Sequence, residues 1–374
     1  MNCNIPIPLQ DELALTLLGR FAQLNGMSSH QWAIRSMKFC FPDQVESPVL
    51  TLLSAVCGVN SDEFAAAHSM LPVLYPTSGY IGSERGESNR RHLMSTYGLH
   101  VPTGTLRWCA ECACQDIEKR GFSHWRRKHH IDGIDWCVEH RTPLLSSIDA
   151  LPAYVSPLRE DQLTVAIKLG AEELDNPALL RLEVVLIAWL LQPQPIRLQA
   201  WSEVIGQRCR LLGLRVGEIG KREVVSDRIQ EQFPESWLVR HMPEIAKKAP
   251  RNYVRKVDGA CVDKHLSYPA LACAAIVAVL FDSAEEGLLA LREADRRIAE
   301  LVSPEQQETD AISAFLAGMN LQRACAKAGA GLREVEAKLR TRLHENSLRE
   351  SAPIAPHHQQ KPSVRGAKQA LLSQ

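Results

Sequence analysis

Two short spacings, Cys109-Ala-Glu-Cys112 and Cys137-Val-Glu-His140, constrain this chain more than any other feature. Each pair offers two ligands that are soft or borderline, and a two-residue spacer lets both side chains turn toward one point. Four such ligands suit tetrahedral Zn²⁺. Residues 113 to 136 lie between the pairs, so a small subdomain must fold between them. With every position of the tetrahedron filled by protein, one structural ion is expected rather than a catalytic one with an open site. Cys114 and His129 are the alternative ligands, and ordinary core cysteines are the competing explanation. The remaining cysteines (Cys3, Cys40, Cys57, Cys209, Cys261, Cys273 and Cys325) are scattered and read as plain thiols. An odd total of 11, with no basic and apolar leader after Met1, points to a reducing, cytoplasmic compartment.

Apolar periodicity makes the rest of the chain mainly α. Leu13, Leu17, Phe21 and Leu24 recur at three- and four-residue intervals, and Asn25-Gly26 stops that helix. A second helix is expected over Ser29–Phe39. Pro48–Met70 then reads as a helix–turn–helix, with Ser61 capping its second helix. Residues 71 to 105, rich in Gly, Pro, Ser and Tyr, predict more loop than helix. Beyond Pro143, helices are expected at about 172–191, 198–212, 221–233, 237–249, 269–281 and 284–301, with a last block over 311–343. Pro269–Phe281 is apolar throughout, yet at 13 residues it falls short of the roughly 20 that span a bilayer, so no membrane partner is expected. The organisation predicted is an N-terminal helix–turn–helix region (1–105), a small central zinc-binding subdomain (106–150), a helical C-terminal half (151–350) and a disordered tail (351–374).

Charge argues against a protein that simply coats nucleic acid. Lys+Arg and Asp+Glu stand equal at 43 each, and phosphate affinity needs local cationic excess. One candidate patch is His124-Trp-Arg-Arg-Lys-His-His130, where Arg126, Arg127 and Lys128 could meet phosphate; a solvated face around a packed Trp125 explains it equally well. A second is Leu321–Gly329 followed by Ala330–Arg342, a helix–turn–helix outline presenting Arg333 and Arg340. Lys338 falls near a position that should be apolar, so core packing is the favoured reading there. The Arg208–Arg228 region is basic as well.

The strings Leu106-Arg-Trp-Cys-Ala-Glu-Cys112, Gly121-Phe-Ser-His-Trp-Arg-Arg-Lys-His129 and Gly133-Ile-Asp-Trp-Cys-Val-Glu-His140-Arg-Thr-Pro-Leu-Leu145 together resemble the core of the TniQ/TnsD family. The segment Pro8 to Gly26 is similar to that family's opening segment, and Lys264–Phe281 is more loosely similar to one of its helical elements. Ala110 and Val138 stand where the family usually has proline, which leaves the ligands intact. No second cysteine cluster follows Leu145, unlike in some relatives. The resemblance implies a target-selection component of a transposon. Such a protein recognises target DNA, or docks on an RNA-guided CRISPR effector complex with its guide RNA, and recruits an AAA+ ATPase. It also allows for a homodimer.

Enzyme signatures are missing from the sequence: there is no phosphate-binding G-x-x-x-x-G-K-[ST] loop, no H-E-x-x-H, no G-x-S-x-G and no dinucleotide fingerprint. A non-enzymatic role is therefore expected. The rival class is a stand-alone zinc-containing DNA-binding transcription regulator, which would act without an ATPase.

Overall fold

The first helix shows how an apolar repeat becomes packing. The computed structural model describes residues 3–74, 76–77, 86–147, 157, 164–192, 195–262, 268–301, 304–328 and 330–350. In it, α1 (Ala14–Leu24) buries Leu17, Leu18, Phe21 and Ala22. Leu13, Leu17 and Phe21 line the core as the spacing predicts, while Leu24 at the end of the stripe faces solvent. The helix stops at Asn25-Gly26. Gly26 adopts φ +63°, and Asn25 Nδ2 donates to the Phe21 carbonyl at 2.8 Å.

Helices α2 (His30–Cys40), α3 (Val49–Cys57) and α4 (Ser61–His68) follow, with α4 packed on α3. Gly58, at φ +67°, turns the chain between the last two. The cap of α4 is Asn60, not Ser61. Asn60 Oδ1 accepts from the amides of Asp62 and Glu63 at 2.8 and 3.3 Å, because only the residue just outside the helix can reach back to those N–H groups.

Residues 71–105 hold more helix than their composition suggests. They contain α5 (Leu71–Leu74) and α6 (Gly86–Tyr97). The sequence of α6 is polar, so its periodic signal is weak. Leu93 and Met94 nevertheless enter the core formed by Leu17, Phe21, Met37, Leu50 and Phe64, and packing outweighs propensity.

The central region is built on a three-stranded antiparallel sheet. Its strands are β1 (Arg107–Trp108), β2 (Leu145–Ser147) and β3 (Thr164–Ala166), paired in that order, with Trp108 opposite Leu145 and Leu145 opposite Ala166. After β1 the chain forms α7 (Ala110–Arg120), which ends at Gly121, φ +78°.

The helices that follow are α8 (Pro177–Leu191), α9 (Leu198–Leu211), α10 (Val225–Gln232), α11 (Glu235–His241), α12 (Pro243–Ala246), α13 (Arg255–Asp258), α14 (Ala270–Leu280) and α15 (Ala284–Leu301). The helix expected over 237–249 is split at Pro243, which has no amide hydrogen to continue α11. Every residue of α14 is buried, with α8, α9, α10 and α13 against it. Two of its last carbonyls accept from side chains. Arg181 Nε donates to Ala278 O and Arg208 Nε to Leu280 O, each at 2.6 Å. No helix among the described residues is long and apolar enough to cross a membrane.

Trp237 ties α11 to the central region through its indole N–H, which donates to Gly133 O at 2.9 Å. Gly133 itself sits at φ +85°, and a Cβ there would lie 2.4 Å from Leu271 Cδ1 and 3.3 Å from Trp237 Cζ2. Gly133→Ala is therefore expected to destabilise the protein by about 2 kcal/mol, from backbone strain and overpacking together. Thermal unfolding measures this, and an unchanged midpoint would contradict it.

The chain divides into two compact units after Ile298. The second unit contains α16 (Pro304–Leu316), α17 (Leu321–Ala328) and α18 (Leu332–Glu350). Ala311, Ile312, Cys325, Ala330 and Val335 form its core. Lys338 occupies the position where an apolar side chain was expected. It is half-buried, and its ammonium meets Glu308 Oε2 at 2.5 Å, so an ion pair with α16 replaces apolar packing. The tail expected over 351–374 lies outside the described residues.

Candidate metal centre

Local backbone geometry aims all four candidate ligands at one point. Cys109 is the residue just before α7 and Cys112 lies in its first turn, so both sulfurs leave the same end of the helix. Cys137 and His140 sit in a tight turn. There Cys137 N donates to Thr142 O and Arg141 N to Cys137 O, each at 2.8 Å, while Arg141 takes φ +54°. Three of the ligands, Cys109, Cys112 and Cys137, are buried and His140 is half-buried.

The separations suit a tetrahedral ion. His140 Nδ1 lies 3.5 Å from Cys109 Sγ, 3.3 Å from Cys112 Sγ and 3.5 Å from Cys137 Sγ. Cys112 Sγ and Cys137 Sγ are 3.6 Å apart, and all four donor atoms fall within 4.8 Å of one another. A tetrahedron with zinc–sulfur bonds of about 2.3 Å and zinc–nitrogen bonds of about 2.0 Å has sulfur–nitrogen edges of about 3.5 Å. Three sulfurs and one imidazole nitrogen would occupy all its corners, leaving no corner for water. Among the described residues this is the only such group of His, Cys, Asp and Glu donors. Cys114 is exposed on α7, and His129 is buried outside the cluster; neither belongs to it.

The electrostatics point the same way. Hydrogen bonds from Cys112 and Cys137 hold the Cys109 thiol far below its ordinary value, while Cys112 and Cys137 are pushed up by their hydrogen bonds to Cys109. Three sulfurs this crowded resist ionising together, and a cation among them would let all three do so. Two further side chains that the spacing did not single out support the ligands. Thr142 Oγ1 lies 3.6 Å from Cys109 Sγ, and the Gln115 side-chain amide is 2.9 Å from His140 Nε2. Gln115 follows Cys112 by one helical turn, so only the folded face of α7 reveals it. Such outer contacts fix ligand orientation.

The basic run between the knuckles is tied down by this architecture. Leu13 N donates to Trp125 O and Arg127 N to Asp11 O, so residues 125–127 pair with the segment leading into α1. Trp125 packs edge-on against Trp108 at 5.6 Å. Arg127 is buried: its Nη1 donates to Ala66 O at 2.6 Å and Ser69 O at 3.1 Å, and its Nε lies 3.3 Å from Asp11 Oδ1. Arg126 meets Asp116 at 3.0 Å and Glu139 at 3.3 Å, and Lys128 reaches Glu139 at 3.4 Å. Burial works against the Arg126 charge, but the sulfur of Cys112 and the carboxylates of Asp116 and Glu139 outweigh it. Arg126 thus places a cation beside the sulfur cluster, where it would offset negative charge on the sulfurs. Of the other candidate cations, Arg333 and Arg340 are exposed on α18 in the second unit.

Residues 5–144 match the sequence profile of the TniQ family. The chain carries a TniQ domain. The match begins ahead of α1 and ends at Leu144, just after the second knuckle, so it takes in the N-terminal helices and all four candidate ligands. A TniQ domain associates the chain with transposition. No curated protein matches the chain.

A buried polar network lies beside the candidate metal centre. Arg107 Nη1 meets Asp135 Oδ1 at 3.0 Å, and Arg240 Nε and His241 Nε2 meet Asp135 Oδ2 at 3.1 and 2.7 Å. Arg240 also pairs with Glu173. Burial alone would raise the Asp135 carboxyl. Its hydrogen bond with His241 and the charges of His241, Arg107 and Arg240 hold it low instead. The network links the TniQ domain to α11, outside the matched residues.

Proposed function

We propose that this chain is a target-site selection adaptor of a transposon, held together at its centre by one zinc ion. Cys109, Cys112, Cys137 and His140 are the ligands. The observation that carries this reading is the closed four-ligand centre inside a TniQ domain, flanked by cations turned inward. A centre of that kind supports a fold that presents surfaces, because it keeps no position for a substrate or a reacting water. The partners are an AAA+ transposition ATPase and either target DNA or an RNA-guided CRISPR effector complex.

Arg333 and Arg340, exposed on α18, the third helix of the second unit, support DNA contact at the C-terminal side. Arg126 and Lys128 have less to offer a phosphate, since each already meets a carboxylate, and Arg127 is enclosed.

A tagged pull-down from the native host, with mass spectrometry and nucleic-acid sequencing, tests the reading. An AAA+ ATPase is expected with either effector subunits and guide RNA or one enriched DNA locus. Recovery of one promoter locus with no transposition protein would replace the adaptor by a transcription regulator.

A further inference from the structure

Two segments distant in sequence meet on the TniQ-containing unit and leave their cations outward. The first is the α9–α10 loop, where Arg215 N donates to Glu223 O at 2.7 Å and closes a finger over residues 216–222. Gly217 and Gly220, at φ +106° and +141°, make its tip, and Ile219 stands there 96% exposed. The second is the strap Lys247-Lys-Ala-Pro-Arg-Asn-Tyr-Val-Arg-Lys256, with no carboxylate of its own. Arg215 joins them: its guanidinium donates to Gly220 O in the finger and, at 3.0 Å, to Arg251 O in the strap. Asp227 at the start of α10 anchors the strap from beneath, accepting from Lys248 Nζ and, at 2.8 Å, from Arg251 N. That anchoring holds Arg251 in the left-handed conformation, φ +65°, with its side chain exposed.

The charge balance is lopsided. Lys248 is paired with Asp227, and Lys256 lies 3.6 Å from Glu244. Lys221, Arg222, Lys247, Arg251 and Arg255 are exposed and make no ion pair with any described residue. Only Glu218 and Glu223 are exposed carboxylates of the finger. In a chain of zero net charge, such a concentration is a local field for an anion spread over many ångströms.

We propose that the finger and strap are a nucleic-acid contact surface that takes the sugar–phosphate backbone of duplex DNA, with Ile219 set against a groove. This deepens the adaptor reading and rests on it. Duplex is favoured over single strand because the patch offers no exposed aromatic platform for unstacked bases; its one aromatic, Tyr253, is half-buried. Exposed cations beside a projecting aliphatic tip suit backbone contact with groove insertion instead.

The test is fluorescence anisotropy of a labelled mixed-sequence duplex against the full chain at rising NaCl. The wild type is compared with Lys221→Ala/Arg222→Ala/Lys247→Ala/Arg255→Ala. Each lost phosphate contact lowers the log–log salt slope by about 0.9, so four lower it by about 3.6. Raising NaCl from about 50 to 200 mM should then weaken the wild type about 100-fold more than the variant. Should that variant not fold, Lys221→Gln/Lys247→Gln should lower the slope by about 1.8, so that the same rise in NaCl weakens the wild type about 12-fold more than this variant. Equal slopes in wild type and variant overturn the proposal and leave the adaptor reading standing. So does wild-type protein with no salt-sensitive affinity for the duplex. Loss of a protein from the variant's pull-down, with DNA affinity unchanged, reassigns the patch to an acidic protein. Absence of transposition partners from the wild-type pull-down is the separate failure of the adaptor reading.

Discussion

Cys137→Ser is expected to abolish zinc binding and unfold the centre of the protein, whereas Cys114→Ser should leave both untouched. Cys137 is fully buried, its sulfur 3.6 Å from Cys112 Sγ and 3.5 Å from His140 Nδ1. An ion at this point joins the start of α7, immediately after β1, to the tight turn that precedes β2. Only two residue pairs join β1 to β2, so hydrogen bonds alone close the subdomain weakly. Structural zinc contributes about 10–16 kcal/mol in small metal-binding domains, against about 5–15 kcal/mol of net stability for a typical protein. Losing one of four ligands therefore removes a term comparable to the whole margin. Elemental analysis should find one zinc per wild-type chain and close to none in Cys137→Ser, whose soluble yield and thermal midpoint should fall together. The exposed Cys114 should change stability by no more than about 0.5 kcal/mol. A folded Cys137→Ser protein with a full zinc equivalent would remove Cys137 from the ligand set. A metal-free, fully folded wild type would remove the zinc.

The knuckles were legible because their information is local. A two-residue spacing and four ligand types are read without knowing what surrounds them, and the structure brings those four side chains together. The N-terminal helices and the apolar Ala270–Leu280 were legible for a similar reason: burial leaves its period, or an unbroken apolar run, in the residues themselves. The basic run was harder to read. Nothing near Arg127 in sequence says that its guanidinium ends on carbonyls of residues 66 and 69, or that Asp11 lies beside it. A buried arginine and a phosphate-binding arginine look alike until their partners are placed. The strap over 247–256 escaped notice for the opposite reason. Pro250 and a left-handed Arg251 break any helical or strand period, so a dense cationic segment lacks the regular pattern by which faces are recognised.

Removing the Asp135 carboxylate, as in Asp135→Ala, should cost about 3–5 kcal/mol although Asp135 is not a ligand. The reason lies in what its two oxygens hold. Oδ1 meets Arg107 at 3.0 Å; Oδ2 meets Arg240 at 3.1 Å and His241 at 2.7 Å. Arg107 is buried and has one other side-chain contact, a donation to Ile131 O at 2.8 Å. Truncating Asp135 leaves a buried guanidinium with only the more exposed carboxylate of Asp132 acting on it, and removal of one partner costs far more than loss of the pair. Arg240 keeps Glu173, so it is stranded less severely. The double variant Asp135→Leu/Arg107→Met should therefore be more stable than Asp135→Ala alone, since it removes both charges and restores apolar volume. Denaturant titration of the two proteins decides this. Zinc content separates the network from the metal centre: folded Asp135→Ala should still carry one zinc per chain. A loss below about 1 kcal/mol would mean that water reaches Arg107 and replaces the carboxylate. A large loss repaired by the double variant identifies the cost as uncompensated charge, at the place where the TniQ domain is fastened to α11.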